Sequence, residues 1–290
     1  MQVAPDAPRR PALRYYGGKF RLAPWIISHF PEHQNYVEPC GGAASVLLQK
    51  PRSPLETYND LDGNVVNFFR VLRDRPDELI RQIRLTPWAR ESFETARAAD
   101  GNDLERARRF FVSAWQGISC MPHDQTTGWR SSSFWGQCYN LPSHNYFDLV
   151  ESDILATLAK RFYGVQIECR GYEYVIERYD CADTLTYFDP PYISCERNSP
   201  NVYVYEWTDP DHIQAAALLR ACQGYVVVSG YACDLYRELY EDHDWQRVDK
   251  EAQTNSGGKR IESLWLSPRT VEALQMPQQA PLFAHLEATP

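Results

Sequence analysis

The 290-residue chain has no run approaching the roughly 18 uninterrupted apolar residues that a membrane-spanning helix needs. Its first residues, Met1 to Asp6, hold no apolar stretch of the signal-peptide kind, so a cytoplasmic protein is expected. The eight cysteines (40, 120, 138, 169, 181, 195, 222 and 233) form no C-x-x-C pair and no Cys/His cluster with zinc spacing, which argues against a disulfide framework or a metal site. The seven histidines are scattered, with no evident catalytic partner. Neither G-x-G-x-x-G nor G-x-x-x-x-G-K-[ST] occurs, so dinucleotide and nucleoside triphosphate binding are not indicated. Positive charge is also short: 30 Lys and Arg face 38 Asp and Glu, a net charge of −8. Spread evenly, that would argue against a nucleic-acid partner. It is not even. Residues 1–24 carry +4, 25–74 carry −2, 75–145 carry +1 and 146–290 carry −11, so a nucleic-acid surface on the first half stays open.

What is present is the rhythm of a globular α/β protein, and a hydrophobic content of 43% is enough to rule out wholesale disorder. Residues 1–13, with Pro5, Pro8 and Pro11, read as a flexible or surface-bound arm, and 269–290 as a second flexible tail. Tyr36-Val37-Glu38 reads as a strand, Pro39-Cys40-Gly41-Gly42 as a tight turn, and residues 43–49 as a helix. A second strand over residues 55–60 leads into a helix with apolar positions at 65, 68, 69 and 72. From Pro76 to Phe162 the pattern is mostly helical, the longest segment running from Leu104 to Ile118. A polar, aromatic-rich loop fills 119–145, and 76–162 reads as an inserted helical module between catalytic segments 14–75 and 163–268. Strands return at 165–169, 184–189 and 225–229, separated by helices at 174–179 and from the capping box Thr208-Asp209-Pro210-Asp211 to about Cys222. Strands near 245–250 and 261–266 flank Asn255-Ser256-Gly257-Gly258 as a hairpin. The expected fold is α/β and Rossmann-like, a mainly parallel doubly wound sheet with a C-terminal antiparallel hairpin and ligands at the carboxyl ends of the strands.

Three constellations carry chemistry. Asp189-Pro190-Pro191-Tyr192 follows a strand directly, and two prolines cannot continue a ladder, so a carboxylate, free carbonyls and an aromatic ring are held on a stiff turn. Glu38-Pro39-Cys40-Gly41-Gly42-Ala43 lets a ligand approach the backbone between strand and helix. Asp60, about 20 residues further on at the next strand's end, stands where a ribose hydroxyl would be gripped. Arg14-Tyr15-Tyr16-Gly17-Gly18-Lys19, alone, is a basic surface turn.

In this order the motifs resemble the DNA adenine-N6 methyltransferases of the Dam type, class D12, especially phage-like members, from Arg14 to about Pro268. Tyr58-Asn59-Asp60-Leu61-Asp62 and Val228-Ser229-Gly230-Tyr231 also look like that family. The resemblance implies a Rossmann-like S-adenosylmethionine-dependent methyltransferase fold, in which Tyr15 and Lys19 contact S-adenosylmethionine, Lys19 through the methionine carboxylate. Glu38, Cys40 and Gly41 would line its methionine end, Asp60 would accept from the ribose hydroxyls, and Tyr172 would pack beside the adenine. Asp189 would serve the target amine with the Pro190 carbonyl, and Tyr192 would stack on the extruded base in double-stranded DNA. The chain departs from the pattern at Cys40, where the family usually has Phe, and at Ala44, where it often has Gly. Phe20 or Tyr36 would then supply the missing aromatic wall, and Ala44, read as helical, would be sterically mild.

Target recognition would fall to the helical module, with Arg109 and Arg130 as DNA contacts, although arginines of such a helix also pair with neighbouring acids such as Glu105; Arg197, in the loop 194–199 after Asp-Pro-Pro-Tyr, would lie near phosphate as that loop closes over the base. A cysteine nucleophile is disfavoured because Cys40 lies in the cofactor loop. Cytosine N4 methylation shares the same acceptor geometry and stays open, as does a protein that binds cofactor and DNA but has lost turnover. RNA or protein amide methylation is a weaker option. A restriction-modification locus with a cognate restriction enzyme would be a natural setting, and no membrane partner is expected.

Overall fold

The computed structural model describes residues 1–98, 100–118, 128–131, 142–193, 205–253 and 259–276. Seven strands form one sheet in the order β3-β2-β1-β4-β5-β7-β6. These are β1 (Asn35–Glu38), β2 (Leu55–Asn59), β3 (Gln166–Glu168), β4 (Thr184–Phe188), β5 (Tyr225–Gly230), β6 (Gln246–Gln253) and β7 (Lys259–Leu266). The first five run parallel; β7 is antiparallel to both β5 and β6. The expected Rossmann-like sheet with its antiparallel hairpin is therefore present, and the chain order reverses between β1 and β4, where such sheets hold ligands. Both strands are buried along their whole length. The tip of the hairpin, Asn255–Gly258, lies outside the described residues.

The helices begin where local chemistry dictates. At α2 (Gly63–Asp74) the Asp62 carboxylate accepts from the Asn64 amide at 2.9 Å, and Val65, Phe68, Phe69 and Leu72 form the buried face. At α9 (Asp209–Arg220) the Thr208 amide and hydroxyl both donate to the Asp211 carboxylate, at 2.7 and 2.6 Å. Among the described residues, five helices follow α2 before β3: α3 (Pro76–Arg84), α4 (Arg90–Thr95), α5 (Asp103–Gln116), α6 (Pro142–Glu151) and α7 (Ile154–Phe162). They share a core with the sheet. Phe68 of α2 stacks on Phe111 of α5 and Phe69 on Phe162 of α7, with centroids 6.0 and 4.5 Å apart. No described helix is long and apolar enough to cross a membrane.

Three local expectations are corrected. Residues 43–49 form successive turns rather than an α-helix, because Ala44 takes φ +52°, a left-handed conformation that ends helical propagation and that side chains rarely adopt. Residues 1–13 are not a loose tail: Ala12 and Leu13 are buried, the Ala4 amide donates to the Gln49 carbonyl at 2.8 Å, and the Trp115 indole donates to the Ala12 carbonyl at 3.2 Å. Residues 269–275, expected in a flexible tail, are helical. Ser267 caps a folded helix α11 (Pro268–Gln275), while 277–290 lie outside the described residues.

The lower end of the sheet is locked by charge. Lys50 donates to Glu56 at 2.8 Å, to the Ser53 hydroxyl at 2.8 Å and to the Pro51 carbonyl at 2.7 Å, and its ammonium lies 4.4 Å from the Tyr36 ring centroid. Arg161 of α7 reaches the same carboxylate with two bonds of 2.6 and 2.9 Å. Burial would raise the Glu56 carboxyl, but Arg161 and Lys50 outweigh it and hold it below its ordinary value. Two buried cations thus depend on one acid. Glu56→Ala should destabilise the fold by about 3–5 kcal/mol, measured by chemical denaturation, because it strands both.

Candidate active site

Pairing of Val37 with Thr186 aligns β1 with β4 so that the loop after Glu38 faces the turn after Phe188. A cavity of about 220 Å³ opens there. It is lined by every residue expected to touch the cofactor: Tyr15, Lys19, Glu38, Cys40, Gly41, Asp60, Tyr172 and Asp189. Pro190 lines it too.

The glycine loop is shaped by its neighbours on β2. A side chain at Gly41 would run into the Tyr58 ring and come within 3.1 Å of the Asn59 carbonyl. Gly42, at φ +46°, donates its amide to Asp60 Oδ2 at 2.8 Å and accepts from the Tyr58 hydroxyl at 2.7 Å. Asp60 Oδ1 accepts from the Asp62 amide at 2.8 Å, and burial raises this carboxyl to about 6. Asn59 joins three loops that are distant in sequence: its amide group donates to the carbonyls of Pro39 (2.7 Å) and Arg170 (3.0 Å), and its oxygen accepts from the Arg170 amide (2.9 Å). No local pattern marks it, since its partners come from outside its own strand.

Lys19 is the link between the N-terminal motif and the Asp-Pro-Pro-Tyr turn. Its ammonium donates to the Gly17 carbonyl at 2.8 Å, lies 3.0 Å from Asp189 Oδ1 and sits 4.4 Å from the centroid of Tyr192. Burial works against its charge, but the Asp189 and Glu262 carboxylates more than offset that, leaving its pKa above the ordinary value. Asp189 is raised by burial, with Lys19 restraining the rise. Glu38 has no such cation at contact distance. Its Oε1 accepts from the Tyr36 hydroxyl (2.9 Å) and the Leu47 amide (3.2 Å), and burial lifts the carboxyl to about 8. Among the described residues no donor is aligned on the buried atom Glu38 Oε2.

Several site expectations change. Tyr192 is absent from the cavity wall and only 4% exposed; Lys19 covers its ring and Tyr231 meets it edge-on at 4.6 Å, so base stacking requires Lys19 to leave that face. Neither Phe20 nor Tyr36 supplies the aromatic wall beside Cys40. Tyr36 is turned into the core, and the wall comes from Tyr172 and Trp207, whose rings lie 5.0 Å apart. Burial pushes the Cys40 thiol well above its ordinary value, and nearby carboxylates push it further, the reverse of what a nucleophile needs. Arg109 is consumed within the fold, bonded to Glu105 (2.7 Å) and Asp100 (2.7 Å) and to the Ala98 and Asp100 carbonyls, because it closes the turn between α4 and α5. The Arg130 amide donates to the Gln116 carbonyl at 2.7 Å beside an antiparallel bridge between Gly117 and Trp129, which anchors its backbone to the end of α5. Arg197 lies outside the described residues.

A family model described as "D12 class N6 adenine-specific DNA methyltransferase" matches residues 15–255. Among curated proteins, the chain is 22% identical to the type II methyltransferase M.MjaIII of Methanocaldococcus jannaschii over 289 residues, covering 88% of this chain and 96% of that one. It is 25% identical to the type II methyltransferase M1.LlaDCHI of Lactococcus lactis subsp. cremoris, with coverages of 86% and 90%. It is 24% identical to the DNA adenine methylase of Haemophilus influenzae, with coverages of 85% and 88%.

The glycine loop offers a direct stability test. Gly41→Ala should cost about 1–3 kcal/mol in chemical denaturation, because the Tyr58 ring must give way, whereas Gly63→Ala, with open space around it, should cost nothing or stabilise slightly.

Proposed function

Because the chain belongs to the family of D12 class N6 adenine-specific DNA methyltransferases, we propose that it methylates adenine N6 at a specific site in double-stranded DNA, with Asp189 and Pro190 acting on the target amine and S-adenosylmethionine as methyl donor. The observation that carries the residue roles is the convergence of Asp189, Lys19, Glu38 and Asp60 on one cavity at the β1/β4 reversal.

The cavity suits a cationic donor. Five acids line it (Glu38, Asp60, Asp62, Glu173 and Asp189) against two cations, Lys19 and Arg170. Among the described residues no donor is aligned on the buried Glu38 Oε2, and the Gly41 backbone leaves a cradle that a side chain would fill. Glu38 would hold an ammonium, Lys19 a carboxylate and Asp60 a pair of hydroxyls. When bound, S-adenosylmethionine supplies a methyl group on a sulfonium, open to in-line attack.

The protein's own task is to make an amine nucleophilic. The exocyclic nitrogen of adenine is weak because its lone pair is delocalised into the ring. Asp189 and the Pro190 carbonyl accept its two N–H bonds, favour a pyramidal nitrogen and aim the lone pair at the methyl group. Both acceptors sit on a rigid Pro-Pro turn, so the gain is positional and electrostatic, set before the base arrives. Lys19 both pairs with Asp189 and covers Tyr192. Drawing the ammonium toward the cofactor's carboxylate would release both for the flipped base. Target reading is assigned to the helical segment 76–162, with Arg130 beside the bridge between Gly117 and Trp129. The type II names of two relatives support a restriction-modification setting, with a cognate restriction enzyme, and a cytoplasmic location follows from a DNA substrate.

Incubation with radiolabelled S-adenosylmethionine and mixed DNA should give labelled N6-methyladenine. Asp189→Ala should reduce turnover by about 10²–10³-fold or more while leaving the fold intact; near-normal turnover would sink the assignment. Cofactor binding without any incorporation by the unmodified protein would favour the turnover-deficient alternative. A second outcome concerns Glu38. With its carboxyl at about 8, it is largely protonated at neutral pH and must ionise to hold an ammonium. Calorimetry near pH 7 in buffers of different ionisation enthalpy should therefore show proton release on cofactor binding, absent in Glu38→Gln.

A further inference from the structure

Outside the cavity, the Asp-Pro-Pro-Tyr turn is held by a strand that none of the sequence motifs includes. Tyr192 donates its hydroxyl to Glu262 Oε2 of β7 at 3.2 Å across 70 residues of chain. Two residues earlier on the same face of β7, Arg260 donates to the Tyr231 hydroxyl at 2.9 Å and lays its guanidinium 4.9 Å from that ring's centroid. Tyr231 in turn meets Tyr192 edge-on. The Tyr192 ring is thus fixed at three points: its face by Lys19, its edge by Tyr231 and its hydroxyl by Glu262.

Only Pro190 and Pro191 separate Tyr192 from Asp189, and prolines fix φ, so displacement of the ring is transmitted to the carboxylate with little slack. Resting on the methyltransferase reading above, we infer that Glu262 is a positioning residue for the reaction: through the Tyr192 hydroxyl it fixes the turn that aims Asp189 and the Pro190 carbonyl at the target amine. It acts through Tyr192 and does not line the cavity. Its carboxylate also supports the charge of Lys19. The charged and titratable groups around it come from four other segments: Lys19, Asp189 with Tyr192, Tyr231, and Lys250 at the paired position of β6.

The test compares Glu262→Ala, Glu262→Gln, Tyr192→Phe and the double variant Tyr192→Phe/Glu262→Ala with the unmodified protein in steady-state methyl transfer. Cofactor affinity is followed by calorimetry. Glu262→Ala should lower kcat by about 10- to 100-fold, with KM for DNA and cofactor affinity changed less than about threefold. Glu262→Gln keeps an acceptor for the phenol and should regain at least about a third of normal kcat, and the double variant should be no slower than about the slower single one. The inference is overturned by normal kcat in Glu262→Ala, by Glu262→Gln as slow as Glu262→Ala, or by losses that multiply in the double variant. Should Glu262→Ala fail to fold, Glu262→Gln and Tyr192→Phe still decide: the first near normal and the second slow supports it, the reverse overturns it. Absence of methyl transfer by the unmodified protein removes the activity itself, a result distinct from an active protein indifferent to Glu262.

Discussion

One buried ion pair, between Lys19 and Asp189, organises the upper end of this molecule. The side chains are only 7% and 17% exposed and 3.0 Å apart, so removing either would leave a charge in a place where water cannot compensate it. The pair also fixes topology: it joins the segment before α1 (Ala23–Ser28) to the end of β4, the strand beside which the chain order reverses. Around that junction Asn59 ties the loop after β1 to Arg170, and Lys19 covers the Tyr192 ring. Catalysis as proposed adds a requirement, since an ammonium that neutralises the catalytic carboxylate must also be able to leave it.

The acidity of the chain acquires meaning in this setting. A net charge of −8 looks unsuited to DNA until its distribution is followed into the fold. The second half contributes the acidic turn after β4 and the helices and hairpin beyond it, while the first half brings the near-neutral helical layer proposed to read the target. Within the cavity itself the excess of acids over cations favours a positively charged donor rather than a phosphate. Specificity for DNA must then rest on a few well-placed contacts rather than a broad basic field.

The catalytic sheet was legible in the sequence because its signals are local. A strand followed by two prolines, a glycine turn between apolar runs and a capping box each announce themselves within a few residues, and each recurs in the structure at the expected place. Ala44 shows where local reading stops: alanine is a good helix former, yet here it takes φ +52° and the segment 43–49 forms turns. Arg109 was a candidate for DNA by residue type, with pairing to Glu105 one helical turn away as the readable alternative; only the fold reveals the Asp100 carboxylate that also claims it. Glu262 and Trp207 could not be singled out as working parts, and neither could the bridging bonds of Asn59, because their partners lie across strands and loops brought together by the sheet. The ring expected to stack on a base, Tyr192, is covered by the Lys19 ammonium, a contact that the sequence does not announce.

The most direct measurement of the central claim is base-modification sequencing of DNA from cells expressing the chain, beside cells expressing Asp189→Asn. The account predicts N6-methyladenine at one short recurring sequence in the first and none in the second. Folded, cofactor-binding protein that leaves every adenine unmodified, or that modifies cytosine instead, would contradict it.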